Sequence, residues 1–564
     1  MALTILLLMA ESAAVLYLPT IMANIINYGI IQGVVEDEPQ TAYILQMGII
    51  MIKITLFSGL ASIAAGYLAP RISTGVARDL RRDLFDKVNS FSQKEFDSFS
   101  AASLITRCTN DVTQLQNLAN LAARMLIFAS IMGIGGIIMA LSLSVYMSWI
   151  IVLAVIVLLG FVSIIVPLVM PRFRIIQNLM DKLNKVSRET LHGLMVVRAF
   201  GTREHEKERF NHINQEILDN SLFVNRITAT IGPAMTFILS GTQLLAVWVG
   251  AHHIAISGLQ IGDMMAFIQY ATSVVFAFMM LSSIMVQLPR AVVSASRITE
   301  VLETMPVIKD PTSPSELTSG QKYDVTFKDV YFRYPEADLD SVSSISFTAL
   351  SGCTTAIIGP TGAGKSTIAQ LLLRFYDPTR GSIFINNTDI RQLKQEDFRN
   401  KIGYAPQKSQ LISGTISSNI QYGSPKAGED KMIWAATTAQ AIDFIEENPE
   451  GFNREIAKKG GNVSGGQRQR LAIARALAKN PEVLVFDDSF SALDFQTDVK
   501  LRRALKDNAA DTTIIVIAQR VGTIKDADQI IVLNEGKIAG KGTHNELLDS
   551  CPIYYEIASS QGAV

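Results

Sequence analysis

The chain has 564 residues, a net charge of -1 at pH 7, 49% hydrophobic residues and only 18% charged residues. Its mean hydropathy of +0.27 indicates a membrane protein, and its balanced charge gives no reason to expect a nucleic-acid ligand. Cys108, Cys353 and Cys551 lie far apart without a CxxC pair, which predicts neither disulfides nor a zinc site.

Nearly all long apolar stretches lie before Arg297, and six of them have the roughly 20 residues that a helix needs to cross a bilayer. The first has neither the basic start nor the cleavage site of a signal peptide, so we interpret it as a retained membrane helix. A very short turn around Ser144 to Ser148 must separate the third span from the fourth. The predicted spans are 3–25, 42–68, 121–146, 148–171, 227–250 and 262–287.

Charges in the loops predict the orientation of these helices, because cytoplasmic loops are enriched in Lys and Arg. The stretches 28–41 and 251–263 contain no Lys or Arg, and Glu36, Asp37 and Glu38 make the first one acidic. We therefore expect both stretches to lie outside the cell.

Two longer stretches, 71–120 and 172–226, are rich in Lys and Arg and are predicted to lie in the cytoplasm. Both contain many helix-forming residues. We expect each to extend the membrane helices as a long hairpin, bent near Phe96–Ser103 in the first and near Gly193–Gly201 in the second. Such a hairpin could contact a soluble domain far from the bilayer.

Two ionisable residues lie within predicted membrane spans, Glu11 in the first and Lys53 in the second. Each costs about 2.5–3.5 kcal/mol at the centre of a membrane helix, so we expect both to face protein or a wet cavity. Glu11 either lines a transport cavity and favours cationic substrates, or forms a structural pair with Lys53; otherwise both side chains reach a membrane surface. Adaptable apolar side chains could bind greasy molecules or simply pack, among them Phe276, Phe278, Met279 and Met280.

The composition changes after residue 299. The stretch 300–322 contains several prolines and serines and is predicted to be a linker between a transmembrane domain (1–299) and a second domain (323–564). From Tyr323 onward, short apolar stretches alternate with helical ones, which predicts an α/β domain with a largely parallel sheet.

The second domain contains a phosphate-binding motif, because Gly359 to Thr367 fits G-x-x-x-x-G-K-[ST] between a predicted strand and a predicted helix. Its glycines let backbone N–H groups surround phosphate oxygens, and the helix N-terminus adds a partial positive charge. Lys365 would reach the β- and γ-phosphates, and the Ser366 hydroxyl would bind Mg²⁺. The predicted nucleotide contacts are Gly359, Thr361, Gly362, Ala363, Gly364, Lys365, Ser366 and Thr367.

Two further motifs complete the prediction of a nucleotide site. Asp487 ends an apolar strand and can hold Mg²⁺ opposite Ser366. The sequence Ser464-Gly465-Gly466-Gln467 precedes a helix and forms a second anion-binding turn. Because the P-loop already encloses one phosphate chain, we expect this turn to cap a nucleotide held by a second subunit.

These motifs, in this order and spacing, resemble those of a half-transporter of the ABC exporter family, and the resemblance covers essentially the whole chain. It implies an α-helical six-span membrane domain with long cytoplasmic helix extensions, followed by an α/β P-loop NTPase domain of ABC type. It also implies ATP and Mg²⁺ as ligands and a multi-pass position in a bacterial plasma membrane, with the nucleotide-binding domain in the cytoplasm. An ATPase of this kind drives transport across the lipid bilayer.

Other residues match the family's motifs one by one. Tyr334 resembles the A-loop aromatic residue that stacks on adenine, and Gln407 resembles the Q-loop glutamine that contacts Mg²⁺ and faces the membrane domain. Ser491 to Asp494 resembles the D-loop. Ser103 to Val112 resembles the first coupling-helix region, and Val197 to Phe200 with Glu204 resembles the second. The family's N-terminal elbow helix is missing or trimmed here, because the first span begins almost at Met1.

Two residues depart from the family's pattern. Asp488 stands where the family usually has the glutamate that acts as general base, and its carboxylate is roughly 1.5 Å further back on the same backbone. General-base catalysis needs a reach of about 2.6–3.2 Å, and a misplacement of about 1 Å can reduce the rate about a hundredfold. Gln519 stands where the family has a histidine that contacts the γ-phosphate, and an amide cannot carry a proton.

The paired departures resemble one subunit of a heterodimeric exporter. Its own site would bind ATP but hydrolyse it slowly, while Ser464 to Gln467 would complete the partner's active site. The alternative is a homodimer with two weak sites. We predict a multidrug-type exporter of small hydrophobic or amphiphilic compounds that works by alternating access. A peptide, lipid or metal-chelate transporter, an importer, or a nucleotide-gated channel or regulatory subunit remain alternatives.

Overall fold

The computed structural model describes residues 2–32, 40–257, 259–317, 323–335, 337–425 and 428–563. The chain divides into two compact units. The first comprises Met1–Lys87 and Ala102–Glu303, and the second comprises Val88–Ala101 and Thr304–Val564. Three acidic loop residues used to predict the orientation lie outside the described residues, namely Glu36, Asp37 and Glu38.

The first unit is a helical membrane domain, and its six predicted spans are confirmed within the described residues. The longest of the continuous helices, Thr41–Asn89, has 49 residues. At about 1.5 Å per residue it is about 74 Å long, so it extends well beyond a hydrocarbon core of about 30 Å. The six helices that can cross a membrane are Ala2–Ile31, Thr41–Asn89, Ala101–Leu143, Trp149–His192, Arg203–Ala255 and Ile261–Glu303.

The last of these helices, Ile261–Glu303, packs against the first one, and several hydrogen bonds connect the two helices. The buried Tyr270 hydroxyl donates to the Leu16 carbonyl at 2.9 Å and lies 2.7 Å from the Thr20 hydroxyl. At the start of the same helix, the Asn27 side-chain oxygen accepts from the Gly262 N–H at 2.7 Å. These bonds satisfy polar groups that would otherwise be unpaired inside a membrane.

The predicted pair between Glu11 and Lys53 is not formed among the described residues. Lys53 instead borders a shallow recess together with Phe57 of its own helix and Tyr17 of the first helix. Glu11 is half-buried on the first helix. The predicted short turn between the third and fourth spans is present, since one helix ends at Leu143 and the next begins at Trp149.

Both cytoplasmic extensions are bent. In the second extension, Trp149–His192 is followed by a short helix, Leu194–Ala199, and Gly201 adopts a φ of 67° before the chain turns back in Arg203–Ala229. The predicted bend at Gly193–Gly201 therefore exists.

The helix of the first extension is interrupted before Gln93 and after Phe99. The short helix between these breaks, Gln93–Phe99, belongs to the second unit. Ser92 and Glu95 form a capping box at the start of this helix, in which the Glu95 carboxylate accepts from the Ser92 N–H at 2.9 Å. Ser100, with a φ of 59°, ends it within the predicted bend.

The region predicted to resemble the first coupling helix, Ser103 to Val112, lies in the first unit instead. It is the start of the helix Ala101–Leu143 and is anchored to the last membrane helix. Arg107 donates to the Glu300 carboxylate at 2.8 Å, and Asp111 accepts from Ser294 at 2.8 Å. The predicted coupling region is therefore bonded to the last membrane helix, whereas the segment that belongs to the second unit contains the capped break at Ser92.

Within the described residues the second unit contains three sheets, the smallest of which pairs β7 (Gly414–Thr415) with β8 (Glu455–Ile456). A four-stranded antiparallel sheet has the order β2-β1-β4-β5, and a six-stranded sheet has the order β12-β11-β3-β10-β9-β6. Five strands of the larger sheet are parallel and β12 is antiparallel, as the alternating sequence pattern predicted. The strands are β1 Val325–Phe332, β2 Val342–Ala349, β3 Thr354–Ile358, β4 Arg380–Ile385, β5 Thr388–Asp389, β6 Ile402–Ala405, β7 Gly414–Thr415, β8 Glu455–Ile456, β9 Val483–Asp487, β10 Thr513–Ile517, β11 Gln529–Asn534 and β12 Lys537–Gly542.

Both faces of the larger sheet are covered by apolar cores. Leu484 and Phe486 of β9 belong to one core, and Val483 and Val485 belong to the other. This alternation explains why β9 is apolar from Val483 to Phe486, as buried parallel strands are. The helices of this unit are Gln93–Phe99, Lys365–Leu372, Gln395–Asn400, Ile416–Gln421, Glu429–Thr438, Ile442–Glu446, Gly465–Ala478, Phe495–Asn508, Val521–Ile524, His544–Ser550 and Pro552–Ser560.

Candidate functional site

Three neighbouring parallel strands, β3, β10 and β9, end side by side near a cavity of about 920 Å³. The P-loop follows β3, Gln519 follows β10, and Asp487 ends β9. Carboxyl ends of parallel strands are where α/β sheets bind ligands. The cavity is lined by Arg333, Tyr334, Leu339, Asp340, Ser341, Ser343, Thr361, Gly362, Gly364, Lys365, Ser366, Thr367, Gln407, Gln519, Glu535 and Gly536.

The P-loop needs its glycines because neighbouring backbone comes very close. A Cβ on Gly359 would lie 2.1 Å from the Leu533 carbonyl oxygen, and Gly364 has a φ of 90°. Gly364 directly precedes the helix Lys365–Leu372, and both Gly364 and the first residues of this helix line the cavity. Ala363 is itself part of this loop, and it is buried.

Lys365 is held within this loop. Its ammonium donates to the carbonyl oxygens of Gly359 and Pro360, each at 2.7 Å. Burial lowers the pKa of Lys365, and the nearby Asp488 and Asp487 carboxylates counteract that effect. The lysine is a cation that can contact phosphate oxygens in this cavity.

Ser366 and Asp487 meet as the sequence predicted. The Ser366 hydroxyl donates to the Asp487 carboxylate at 3.0 Å. Burial raises the pKa of Asp487, and the negative charge of Asp488 raises it further. A hydroxyl and a carboxylate at this distance form an all-oxygen donor set, which fits Mg²⁺. Ser366 and Asp487 would hold the ion, and its positive charge would neutralise charge on the phosphates.

The two residues that depart from the family pattern touch each other. One Asp488 carboxylate oxygen, Oδ2, accepts from the Gln519 amide at 3.1 Å and from the Gln407 amide at 3.2 Å. Asp488 itself has a φ of 47°, and its N–H donates to the Ile517 carbonyl at 2.8 Å. Burial raises the pKa of Asp488, while the Gln407 hydrogen bond and Lys365 oppose that shift.

Gln519 is in turn positioned by a residue near the end of the described chain. The Gln561 amide donates to the Gln519 carbonyl at 2.8 Å, and its oxygen accepts from the Val521 N–H at 2.8 Å. The sequence interpretation missed Gln561, since a single glutamine after a helix belongs to no recognisable motif.

Tyr334 borders the same cavity and is fixed by its hydroxyl, which donates to the Gln370 side chain at 2.7 Å and lies 3.1 Å from the Thr367 hydroxyl. Its ring meets Phe332 and Tyr376 edge to face. Tyr376 is a second residue that the sequence interpretation missed. The arrangement leaves Tyr334 beside the cavity with its orientation set, as stacking on a base requires.

The Ser464 to Gln467 turn does not line this cavity in the part of the chain that the structure describes. Its Ser464 N–H and side chain exchange hydrogen bonds with Gln467, at 3.0 and 3.2 Å, and this capping box starts the helix Gly465–Ala478. In the predicted D-loop, Asp494 caps the helix Phe495–Asn508. The structure thus brings together the predicted P-loop, magnesium and water-activating residues, and leaves the Ser464 to Gln467 turn separate from them.

Comparisons with known proteins agree with this architecture. The family model described as ABC transporter transmembrane region matches residues 1–278, and the model described as ABC transporter matches residues 342–491. An uncharacterized ABC transporter ATP-binding protein of Mycobacterium tuberculosis is 38% identical over 99% of this chain and 95% of its own length. An ATP-dependent lipid A-core flippase of Aromatoleum aromaticum is 31% identical over 91% of this chain and 85% of its own length.

A solved structure is also similar over the full chain. It is that of a bacterial Atm1-family ABC exporter with ATP bound, with a TM-score of 0.82 and 26% sequence identity, and the match covers 100% of this chain and 98% of that one.

Proposed function

This chain belongs to the ABC transporter family and is an ATP-driven exporter, and from that premise we propose that it is the weakly hydrolysing subunit of a heterodimer. It is a multi-pass plasma-membrane protein with a cytoplasmic ATP-binding domain that uses ATP and Mg²⁺. The proposal concerns how the hydrolytic work is divided, which partner is needed and what is transported.

The observation that carries the proposal is the hydrogen bonding of Asp488. Its Oδ2 accepts from Gln519 at 3.1 Å and from Gln407 at 3.2 Å, so two amides occupy the oxygen that a general base would offer to water. Neither amide can take up the proton itself. A shorter carboxylate held back by two donors supports slow hydrolysis at this site.

Binding of ATP does not depend on these groups. Lys365, the P-loop backbone and the Ser366–Asp487 pair retain the geometry needed to hold phosphates and Mg²⁺. We therefore infer that the site holds ATP through a transport cycle. Its main contribution is the binding energy that closes the nucleotide-binding domains, and ATP hydrolysis at this site contributes less.

Two exposed features support a partner subunit. The Ser464 to Gln467 turn offers a helix N-terminus that its own nucleotide cavity does not use. The tip of the second cytoplasmic extension presents large apolar side chains, with Met195 79% exposed and Phe200 78% exposed. Contiguous exposed apolar groups at one tip are typical of a protein interface.

We propose a small hydrophobic or amphiphilic substrate, as in multidrug-type exporters. The apolar helices of the first unit support this class, and the flippase relative is named for a lipid, lipid A-core. A peptide or a metal chelate could be moved by the same architecture. A channel or regulatory subunit would fail to build a substrate gradient in vesicles, which an exporter must do.

The test is ATPase activity of the purified chain in lipid, alone and with a second half-transporter encoded beside it. We expect low activity alone and strong activity together. Replacing the general-base glutamate of the partner with glutamine should abolish activity of the pair, whereas Asp488→Asn should leave most of it. Rapid turnover by this chain alone that Asp488→Asn abolishes would refute the proposed division of labour.

A further inference from the structure

The tyrosine beside the nucleotide cavity is connected to the short helix Gln93–Phe99 by one intermediate residue, Tyr376. The rings of Tyr334 and Tyr376 meet edge to face, with centroids 5.4 Å apart and an interplanar angle of 83°. The Tyr376 hydroxyl donates to Asp97 Oδ2 at 3.1 Å. All these residues belong to the second unit, because Val88–Ala101 is part of it.

Tyr334 has little freedom to move independently of Tyr376. Its hydroxyl is held by Gln370, and its ring packs edge to face on Phe332 as well as on Tyr376. Phe332 and Tyr376 also pack on each other, with centroids 5.3 Å apart. A base that stacks on the cavity face of Tyr334 therefore presses on an aromatic cluster that includes Tyr376.

Tyr376 can transmit a displacement of Tyr334, because only 9% of its surface is exposed and its hydroxyl bonds to Asp97, which lies outside the aromatic cluster. Burial and the hydrogen bond to Asp97 raise the pKa of Tyr376, so the hydroxyl stays protonated and remains a donor. Its ring is held by an edge-to-face contact with Tyr334 and a tilted contact with Phe332.

Asp97 receives this bond on the helix Gln93–Phe99. Its other carboxylate oxygen accepts from the Gln93 side chain at 2.8 Å. On the same helix, Glu95 is buried and accepts from the Val307 N–H at 3.3 Å. The helix Gln93–Phe99 is thus held by Glu95 and by Asp97, and of these two contacts only that of Asp97 connects it to Tyr376 and the nucleotide cavity.

We propose that Tyr376 is a positioning residue that couples occupancy of the base-stacking face of Tyr334 to the placement of the helix Gln93–Phe99. This coupling responds to the base of the nucleotide, since the phosphates are held separately by the P-loop. It rests on ATP binding by the family and is independent of how fast this site hydrolyses ATP. Such coupling is reciprocal, so a change at Asp97 must alter nucleotide affinity even though Asp97 does not line the cavity.

Inorganic triphosphate with Mg²⁺ is the probe that separates the base from the phosphates. Dissociation constants for Mg·ATP and Mg·triphosphate would be measured on the full-length chain in lipid, for the natural sequence, Tyr376→Phe, Asp97→Ala and both together. We expect each single change to weaken ATP binding about two- to tenfold, the range of one hydrogen bond. The double change should weaken it no more than either single change, and triphosphate binding should stay the same.

The matched control is Tyr554→Phe. The Tyr554 hydroxyl is 2.7 Å from His544 Nδ1, and the residue is fully buried in the same unit without lining the cavity. Its loss should leave both dissociation constants unchanged. Asp97→Asn keeps an oxygen acceptor and should restore part of the ATP affinity that Asp97→Ala loses.

A reporter on the helix gives the second readout. In a variant whose Cys108, Cys353 and Cys551 are replaced, a fluorophore on Lys94→Cys should respond to Mg·ATP more strongly than to Mg·triphosphate, and Tyr376→Phe should remove that difference. The proposal is overturned if Tyr376→Phe weakens both ligands equally, leaves ATP binding unchanged, or adds fully to Asp97→Ala.

Discussion

The two halves of the nucleotide cavity differ in how much of the expected chemistry they keep. The phosphate-holding half consists of Gly359 to Thr367 with Asp487, and its glycine geometry, buried lysine and hydroxyl–carboxylate pair are all present. The water-activating half consists of Asp488, Gln519 and Gln407, in which a short acid is tied to two amides. Holding a nucleotide relies on backbone shape and fixed charge, whereas hydrolysis relies on one correctly placed base, so a protein can lose the second while it keeps the first.

The largest expected effect comes from the phosphate-holding half. Lys365→Ala should weaken Mg·ATP binding roughly tenfold to a hundredfold, because charge-assisted hydrogen bonds to phosphate are lost. Equilibrium binding to the purified chain measures this, with the exposed Lys431→Ala as the control. Unchanged affinity in Lys365→Ala would mean that this lysine, bonded to Gly359 and Pro360, never turns toward phosphate.

The water-activating half should respond in the opposite direction. Asp488→Glu combined with Gln519→His should raise hydrolysis at this chain's own site on the order of tenfold, because the carboxylate gains about 1.5 Å of reach and a titratable group replaces an amide. The measurement uses the pair with the partner's P-loop lysine replaced, so that only this site can turn over. Equal rates before and after the double change would show that another feature limits hydrolysis here.

The same contrast separates what the sequence could predict from what it could not. The phosphate-holding half is predictable because contiguous residues between one strand and one helix define it. Gln561 meets Gln519 across 42 positions, and Tyr376 meets Asp97 across 279, with side chains that fit no motif. Such contacts depend on how the C-terminal helix and the segment Val88–Ala101 pack, which no local pattern specifies.

The segment that joins the second unit could not be located from the sequence for a related physical reason. Ser103 to Val112 carries the recognisable residues, yet its Arg107 and Asp111 bond to the last membrane helix. The segment that joins the nucleotide-binding unit is set by the Ser92–Glu95 capping box and the left-handed Ser100. A capping box is readable in sequence, but it marks where a helix starts and not which unit the helix joins.

A smaller effect is expected from the support of the water-activating half. Gln561→Ala should lower hydrolysis about threefold in the Asp488→Glu, Gln519→His background, because the backbone at Gln519 and Val521 loses two hydrogen bonds. The affinity for ATP should not change. The neighbouring Ser560→Ala, whose hydroxyl bonds only within its own helix, is the control. A loss of ATP affinity in Gln561→Ala would instead indicate a general disturbance of the cavity.

The smallest expected effect is on the thermal stability of the folded chain, and it arises from the partial burial of the Asp488 carboxylate. Burial raises its pKa above the ordinary value of 3.8, so the folded chain binds this proton more tightly than the unfolded chain does. The stability that Asp488 contributes is therefore fully present below the unfolded pKa and is lost as the pH rises through the higher folded pKa. Asp487 shares this direction, because burial raises its pKa too.

Asp488→Asn should accordingly be more heat-stable than the natural chain without nucleotide and Mg²⁺, with a difference that grows from about pH 4 and levels off toward pH 7. Because Asp488 is only half-buried, solvent screening should limit the gain to a Tm shift of roughly 2 °C or less. Thermal unfolding across that pH range measures it, and the exposed Asp511→Asn is the control. A stability difference that shrinks with rising pH would mean that Lys365 and Arg520 stabilise the Asp488 charge more than burial destabilises it. Asp488 would then be ionised as a general base must be, and only the length of its side chain would limit hydrolysis.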